Sequence, residues 1–77
     1  MSIETVTVKE QEFYVTIQEI DKPGVAYHWI AETNVNGKRI TDKTSNRGDG
    51  TKEEVIERIK KSIAHELYRQ EEGTSTI

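Results

Sequence analysis

Cysteine is absent from this chain of 77 residues, and proline occurs once. Without cysteine there can be neither a disulfide nor a thiolate metal ligand. Small secreted domains usually depend on disulfides, so the absence favours a reducing compartment, and we expect a cytoplasmic protein.

Long apolar runs and a strong net charge are also lacking. Hydrophobic residues make up 32% of the chain, and no run approaches the roughly 20 residues that span a bilayer. The start, Met1 to Glu4, has no basic or apolar region of a signal peptide. The formal net charge of −3 gives no electrostatic reason to bind nucleic acid. We therefore expect one domain over residues 1–77, with no membrane and no nucleic-acid partner.

The residues from about 5 to 44 alternate between β-favouring and polar types, which is typical of strands. Val6 and Val8 share one parity, whereas Phe13 and Val15 have the other. Because strand side chains alternate between faces, this switch indicates a turn or a bulge near residues 10–12. Residues 3–20 thus form either one bulged strand or two strands.

Two further turns divide the rest of this region. Asp21-Lys22-Pro23-Gly24 is a turn sequence, because proline presets φ and glycine accepts positive φ. A strand is predicted over residues 25–35. Asn36-Gly37 then indicates a type I′ hairpin, in which Val35 opposes Lys38, and the returning strand covers residues 38–44.

A helix is predicted over about residues 51–70, with a frayed tail over 73–77. Thr51 and Glu54 form a capping-box pattern. The helical spacing gives one apolar stripe, with Val55 beside it: Ile56, Ile59, Ile63 and Leu67. The fold class is α+β, an antiparallel β-meander of three or four strands with one C-terminal amphipathic helix packed on one face. The sheet face under the helix should carry Phe13, Val15, Ile17, Trp29 and Ile40.

No residue pattern indicates catalysis, a cofactor or a metal. Residues 42–53 follow part of a calcium-loop spacing, but Arg47 occupies the position that requires glycine. His28 and His65 are the only histidines and lie on separate predicted elements. We therefore expect no enzyme activity, no catalytic residue, no cofactor and no metal site.

Two segments resemble a known family. Thr33-Asn34-Val35-Asn36-Gly37-Lys38 and Gly48-Asp49-Gly50-Thr51-Lys52-Glu53-Glu54-Val55 are similar to the C-terminal half of a double-stranded-RNA-binding domain, and to the related β-β-β-α fold of HicB-type antitoxins. The resemblance covers roughly residues 12–69 and implies a topology. The family's first helix is absent here, and of its lysine cluster at the helix start there is only Lys52, so no functional residue is carried over.

The sheet face away from the helix is the candidate contact surface. If the strand after the Pro-Gly turn pairs Ile20 with Val25, then His28 and Ile30 face the helix. A connection one residue longer places Tyr27 and Trp29 there instead, and this alternative buries the larger rings. The outer face then carries Tyr14, Ile20, His28 and Ile30.

Three functions follow from these observations. The leading hypothesis is a small non-enzymatic interaction module, a binder or inhibitor whose partner is another protein or a second copy of itself. The alternative, from topology, is an RNA-binding module of the double-stranded-RNA-binding-like class. The third is a small enzyme subunit whose site a partner completes.

Overall fold

Four strands and one helix follow one another along the chain. The computed structural model describes residues 2–20, 24, 28–44 and 50–74. Its elements are β1 (Ser2–Val8), β2 (Gln11–Glu19), β3 (Trp29–Val35), β4 (Lys38–Lys43) and α1 (Lys52–Thr74). The strands form one antiparallel sheet in the order β1-β2-β3-β4, so each strand pairs with its neighbour in sequence. The predicted α+β meander with one C-terminal helix on one face is confirmed.

A tight turn at Lys9 and Glu10 decides the number of strands. Both residues have positive φ, 51° and 66°, which is the conformation of a type I′ hairpin turn. Val8 therefore opposes Gln11, and Val6 opposes Phe13. The parity switch in the sequence comes from this two-residue turn, and residues 3–20 belong to two strands.

The second hairpin has the predicted geometry. Asn36 and Gly37 have φ values of 52° and 92°. The Asn34 side chain accepts a hydrogen bond of 2.8 Å from the Gly37 amide, which is a local contact typical of turns. Val35 opposes Lys38 and Thr33 opposes Ile40, as the turn length predicts.

The pairing of β2 with β3 differs from both predicted registers. Ile17 lies opposite Ala31, Glu19 lies opposite Trp29, and the Ile20 amide donates to the His28 carbonyl at 2.8 Å. The connection between β2 and β3 is therefore longer than in either prediction, that is, longer than the turn that pairs Ile20 with Val25 and longer than the alternative with one more residue. The observed register is shifted by two residues from the preferred one. Because an even shift does not exchange the two faces of a strand, every side chain remains on its predicted face. Tyr27 and most of the predicted Pro-Gly turn lie outside the described residues.

Thr44 directly follows β4 and hydrogen-bonds to the backbone where β3 begins. Its buried hydroxyl oxygen accepts hydrogen bonds from the amides of His28 (2.8 Å) and Trp29 (3.1 Å). Its own amide donates to the Trp29 carbonyl at 3.1 Å. These bonds satisfy the amides of His28 and Trp29 at the start of β3.

The core lies between the sheet and α1. Its fully enclosed members come from one face of each of β2 and β3 and one side of the helix: Val15, Ile17, Ala31, Val35, Val55, Ile59 and Ile63. Val6, Phe13 and Leu67 complete it, and Trp29 and Ile40 are partly buried against it. Lys52 contacts the Glu4 carboxylate and so links the start of the helix to β1.

One detail of the predicted apolar stripe is corrected. Val55 is fully buried, whereas Ile56 is only partly buried at the margin of the core. Residues 55, 59, 63 and 67 lie four apart, so they follow one slightly tilted line along the helix. The helix packs on the sheet along that line, and Ile56 therefore lies to one side of it, at the margin of the core.

The helix start follows the predicted cap with one change. The Glu54 amide donates to the Thr51 hydroxyl at 3.2 Å. The Glu54 carboxylate accepts a hydrogen bond of 2.8 Å from the Gly50 amide. A capping box would instead use the amide of the next residue, Thr51. At the other end, α1 continues beyond the predicted residue 70 and through Gly73. Of the predicted tail, residues 75–77 lie outside the described residues.

Candidate interaction face

The sheet has one face that the helix does not cover. By strand alternation and the observed registers, this outer face carries the odd residues of β1 and β4 and the even residues of β2 and β3. Its members are Ile3, Thr5, Thr7, Glu12, Tyr14, Thr16, Gln18, Ile30, Glu32, Asn34, Arg39, Thr41 and Lys43. Among the described residues, Ile3 and Tyr14 are its most exposed large apolar side chains, at 69% and 72%.

The centre of the outer face is polar around one half-buried isoleucine. Thr16 pairs with Glu32, and Gln18 pairs with Ile30. These four side chains line a shallow depression of about 200 Å³. Glu32 also lies 3.7 Å from the Arg39 guanidinium across the face, so the charges there are partly balanced. The depression can offer hydroxyl, amide and carboxylate groups around an apolar floor.

The structure spreads the four predicted contact residues over the face and one end of the sheet. Tyr14 is separated from Ile30 by Thr16 and Glu32, because each strand steps two residues along the same face. Ile20 directly follows β2 and is half-buried, diagonal to Ile30.

His28 has different surroundings from the other three. It lies in a bend before β3 and is exposed. Its Cδ2 atom lies 3.1 Å from the position that a Cβ on Gly50 would take. Gly50 also has a φ of 67°, so glycine is favoured there on two grounds. The His28 ring thus packs beside the segment that enters the helix.

The predicted contact residues leave out Ile3, although residues 3–20 are predicted to form one or two strands. Extending the alternation of Val6 and Val8 backwards places Ile3 on the opposite side of β1, so the signal was present. Alternation opposite Phe13 and Val15 already predicts Thr16 and Gln18 on this face, whereas their pairing with Glu32 and Ile30 follows only from the register of β2 and β3.

A groove between β4 and the helix brings Ser62 and His65 near Ile40. Within the described chain, no hydrogen bond joins Ser62 to His65. The neighbouring Glu66 carboxylate accepts a hydrogen bond of 3.1 Å from the Gln70 side chain and lies 3.7 Å from the Arg69 guanidinium. The groove therefore lacks the nucleophile–base–orienter contacts of a hydrolase site.

In the described ranges, no group of three or more histidine, aspartate or glutamate side chains is arranged so that it could hold a metal ion. Among the same residues, the helix is too polar to cross a membrane. Comparison with protein-family models, with curated proteins and with solved structures gave no match to this chain.

Proposed function

We propose that the domain is a small non-enzymatic interaction module that binds another protein through its outer face. The observation that carries this proposal is that one helix covers one side of a four-stranded sheet and leaves Tyr14 and Ile3 exposed on the other. Exposed tyrosine and aliphatic side chains on a rigid sheet are suitable anchors for a protein partner.

The polar centre of the outer face supports the same function. Thr16 and Gln18 can hydrogen-bond to a partner's backbone or side chains without bringing an unbalanced charge into the interface. The carboxylate of Glu32 already has Arg39 beside it, which reduces the cost of covering it. The proposed interface therefore places the exposed side chains of Ile3 and Tyr14 beside a hydrogen-bonding centre whose charges are partly balanced.

The test compares two tyrosines on different surfaces. Tyr14 lies on the outer face and Tyr68 on the helix, and both are exposed, at 72% and 54%. The wild type, Tyr14→Asp and Tyr68→Asp are immobilised and used to capture proteins from the native cell lysate, with quantitative mass spectrometry of what is retained. We expect a partner that the wild type and Tyr68→Asp retain equally and that Tyr14→Asp retains at least tenfold less.

Melting curves of both variants must match that of the wild type for this comparison to hold. Retention lost with Tyr68→Asp and kept with Tyr14→Asp would move the contact surface to the helix. Equal retention by all three proteins would show that the outer face is not the contact surface.

A further inference from the structure

The two outermost strands of the sheet differ in how they are protected. β1 and β4 each pair with one strand among those described. Over its seven residues, β1 contains no lysine, arginine or proline, and its one acidic side chain, Glu4, is held by Lys52. β4 carries Lys38, Arg39 and Lys43. Because charged side chains and prolines are the usual means of blocking strand addition, β1 is the edge open to it.

The observed hydrogen bonds determine which backbone groups lie at this edge. The bond from the Ile20 amide to the His28 carbonyl shows that even residues of β2 direct their backbone groups towards β3. Odd residues of β2 then face β1 and pair with its even residues, since the bonding direction alternates along an antiparallel strand. The amide and carbonyl groups of Ile3, Thr5 and Thr7 consequently face outwards, away from β2.

We propose that β1 pairs antiparallel with β1 of a second copy of the chain, about a two-fold axis at Thr5. In this register Thr5 opposes Thr5 of the second copy, and Ile3 opposes Thr7. All the outward amides and carbonyls of Ile3, Thr5 and Thr7 then meet partners of the opposite kind. The two sheets join into one continuous sheet of eight strands.

Other registers satisfy fewer groups. A shift by two residues in one direction places Glu4 opposite Glu4 of the second copy, and like charges directly opposite are unfavourable. A shift in the other direction places Ile3 opposite Lys9, which lies in the turn. The register centred on Thr5 pairs Glu4 with Val6, uses the whole of Ser2–Val8, and brings the exposed Ile3 beside a threonine methyl group.

This inference rests on the proposed function only in treating the domain as an interaction module, since it uses the edge of the sheet and not the outer face. The two can fail separately. Tyr14→Asp tests the face, and substitutions that change only the backbone of β1 test the edge.

The first experiment uses proline to remove one outward amide. Thr5→Pro deletes an N–H that β2 does not use, and proline is tolerated on edge strands in that situation. Thr41→Pro is the matched control, because the bond between Thr44 and Trp29 places the even residues of β4 towards β3 and the odd ones outwards. By sedimentation equilibrium, we expect the wild type and Thr41→Pro to reach twice the 8.8 kDa monomer mass as concentration rises. Thr5→Pro should dimerise at least tenfold more weakly.

The second experiment does not require the proline variants to fold. The chain has no cysteine, so Thr5→Cys introduces its single thiol. Hydrogen-bonded antiparallel partners have Cα atoms about 5.5 Å apart, which is within disulfide range. We expect Thr5→Cys to form a covalent dimer under mild oxidation and Thr41→Cys to form at least tenfold less.

Either of two results would overturn the inference. One is a wild type that remains monomeric at high micromolar concentration with no preferential crosslink at position 5. The other is a dimer that Thr41→Pro or Tyr14→Asp weakens while Thr5→Pro does not, because the copies would then meet through β4 or the outer face.

Discussion

The two residues of the first hairpin turn hold a conformation that their side chains disfavour. Lys9 and Glu10 both have φ above 50°, where an L-residue other than glycine loses about 1–2 kcal/mol. Lys9 has compensating contacts: its ammonium lies 3.8 Å from Glu71 and 5.5 Å from the centre of the Tyr68 ring. Glu10 is exposed, which makes it the simpler position to change.

Replacing Glu10 with glycine should therefore stabilise the domain. Glycine accepts a φ of 66° without a steric penalty, and this gain outweighs its greater freedom in the unfolded chain. We expect Glu10→Gly to raise the free energy of unfolding by about 1 kcal/mol, or the melting temperature by roughly 4–8 °C. Urea unfolding of the variant and the wild type measures this change.

Glu10→Ala is the control, because it removes the carboxylate and keeps the Cβ atom. It should not share the stabilisation. An equal gain in both variants would assign the effect to the lost charge and would contradict strain in the turn.

The same turn shows why part of the sheet could be predicted and part could not. Asn36-Gly37 has the residues that a type I′ turn prefers, so the β3–β4 register followed from the sequence. Lys9-Glu10 forms the same turn without those residues, and only the change in parity on either side indicated it. The β2–β3 register, in which Ile17 opposes Ala31, depends on the length of the connection between these strands, and the Pro-Gly turn sequence does not specify that length.

Among the elements, the helix is held to the sheet at both of its ends as well as through the core. Near its C-terminal part, the Gln70 side chain donates to the Val35 carbonyl at 3.1 Å and accepts from the Asn36 side chain at 2.8 Å. At the start, Lys52 contacts Glu4 of β1. These contacts fix the line along which the helix crosses the sheet, and with it the burial of Val55 in preference to Ile56.

Alanine substitutions along the helix should follow this observed line. Ile59 and Ile63 are fully buried, so Ile59→Ala and Ile63→Ala should each lower the free energy of unfolding by about 2–5 kcal/mol. Ile56 is only partly buried, and Ile56→Ala should lower it by about 1 kcal/mol. Chemical denaturation of the three variants gives the ranking. An Ile56→Ala loss as large as that of Ile63→Ala would place Ile56 in the core.

On the scale of the whole molecule, the charge distribution bears on the RNA-binding alternative. The start of the helix carries Glu53 and Glu54 in its first turn, and the net charge of the chain is −3. Phosphate binding requires clustered cations, and the three on β4 lie on an edge where Arg39 contacts Glu32. The charge distribution thus weighs against the RNA-binding alternative that the sequence resemblance suggested.

We expect no binding of duplex RNA in a gel-shift experiment at low salt, where electrostatic binding is strongest. Measurement with the wild type and with Lys38→Glu provides the comparison. A shifted band that fades as salt is added and is absent for Lys38→Glu would restore the RNA-binding alternative and place its site on β4.

The candidate face could be predicted in part at this scale. That one helix leaves a sheet face uncovered follows from the order of the elements alone. Tyr14 was assigned to that face from alternation, and Ile30 from the preference for the register that buries the larger rings. The polar depression between them, and the position of His28 beside Gly50, depend on the length of the β2–β3 connection and the path into the helix.

The order β1-β2-β3-β4 also has a consequence for how the chain reaches this structure. Every strand pairs with the next one, so the sheet forms from contacts between near neighbours in sequence, a topology that favours rapid folding. The helix follows all four strands in the chain, so during synthesis on the ribosome the sheet leaves the exit tunnel first. Until α1 follows it, Val15, Ile17 and Val35 are exposed to water. During that interval the nascent sheet presents two uncovered faces, and the risk of aggregation is concentrated there.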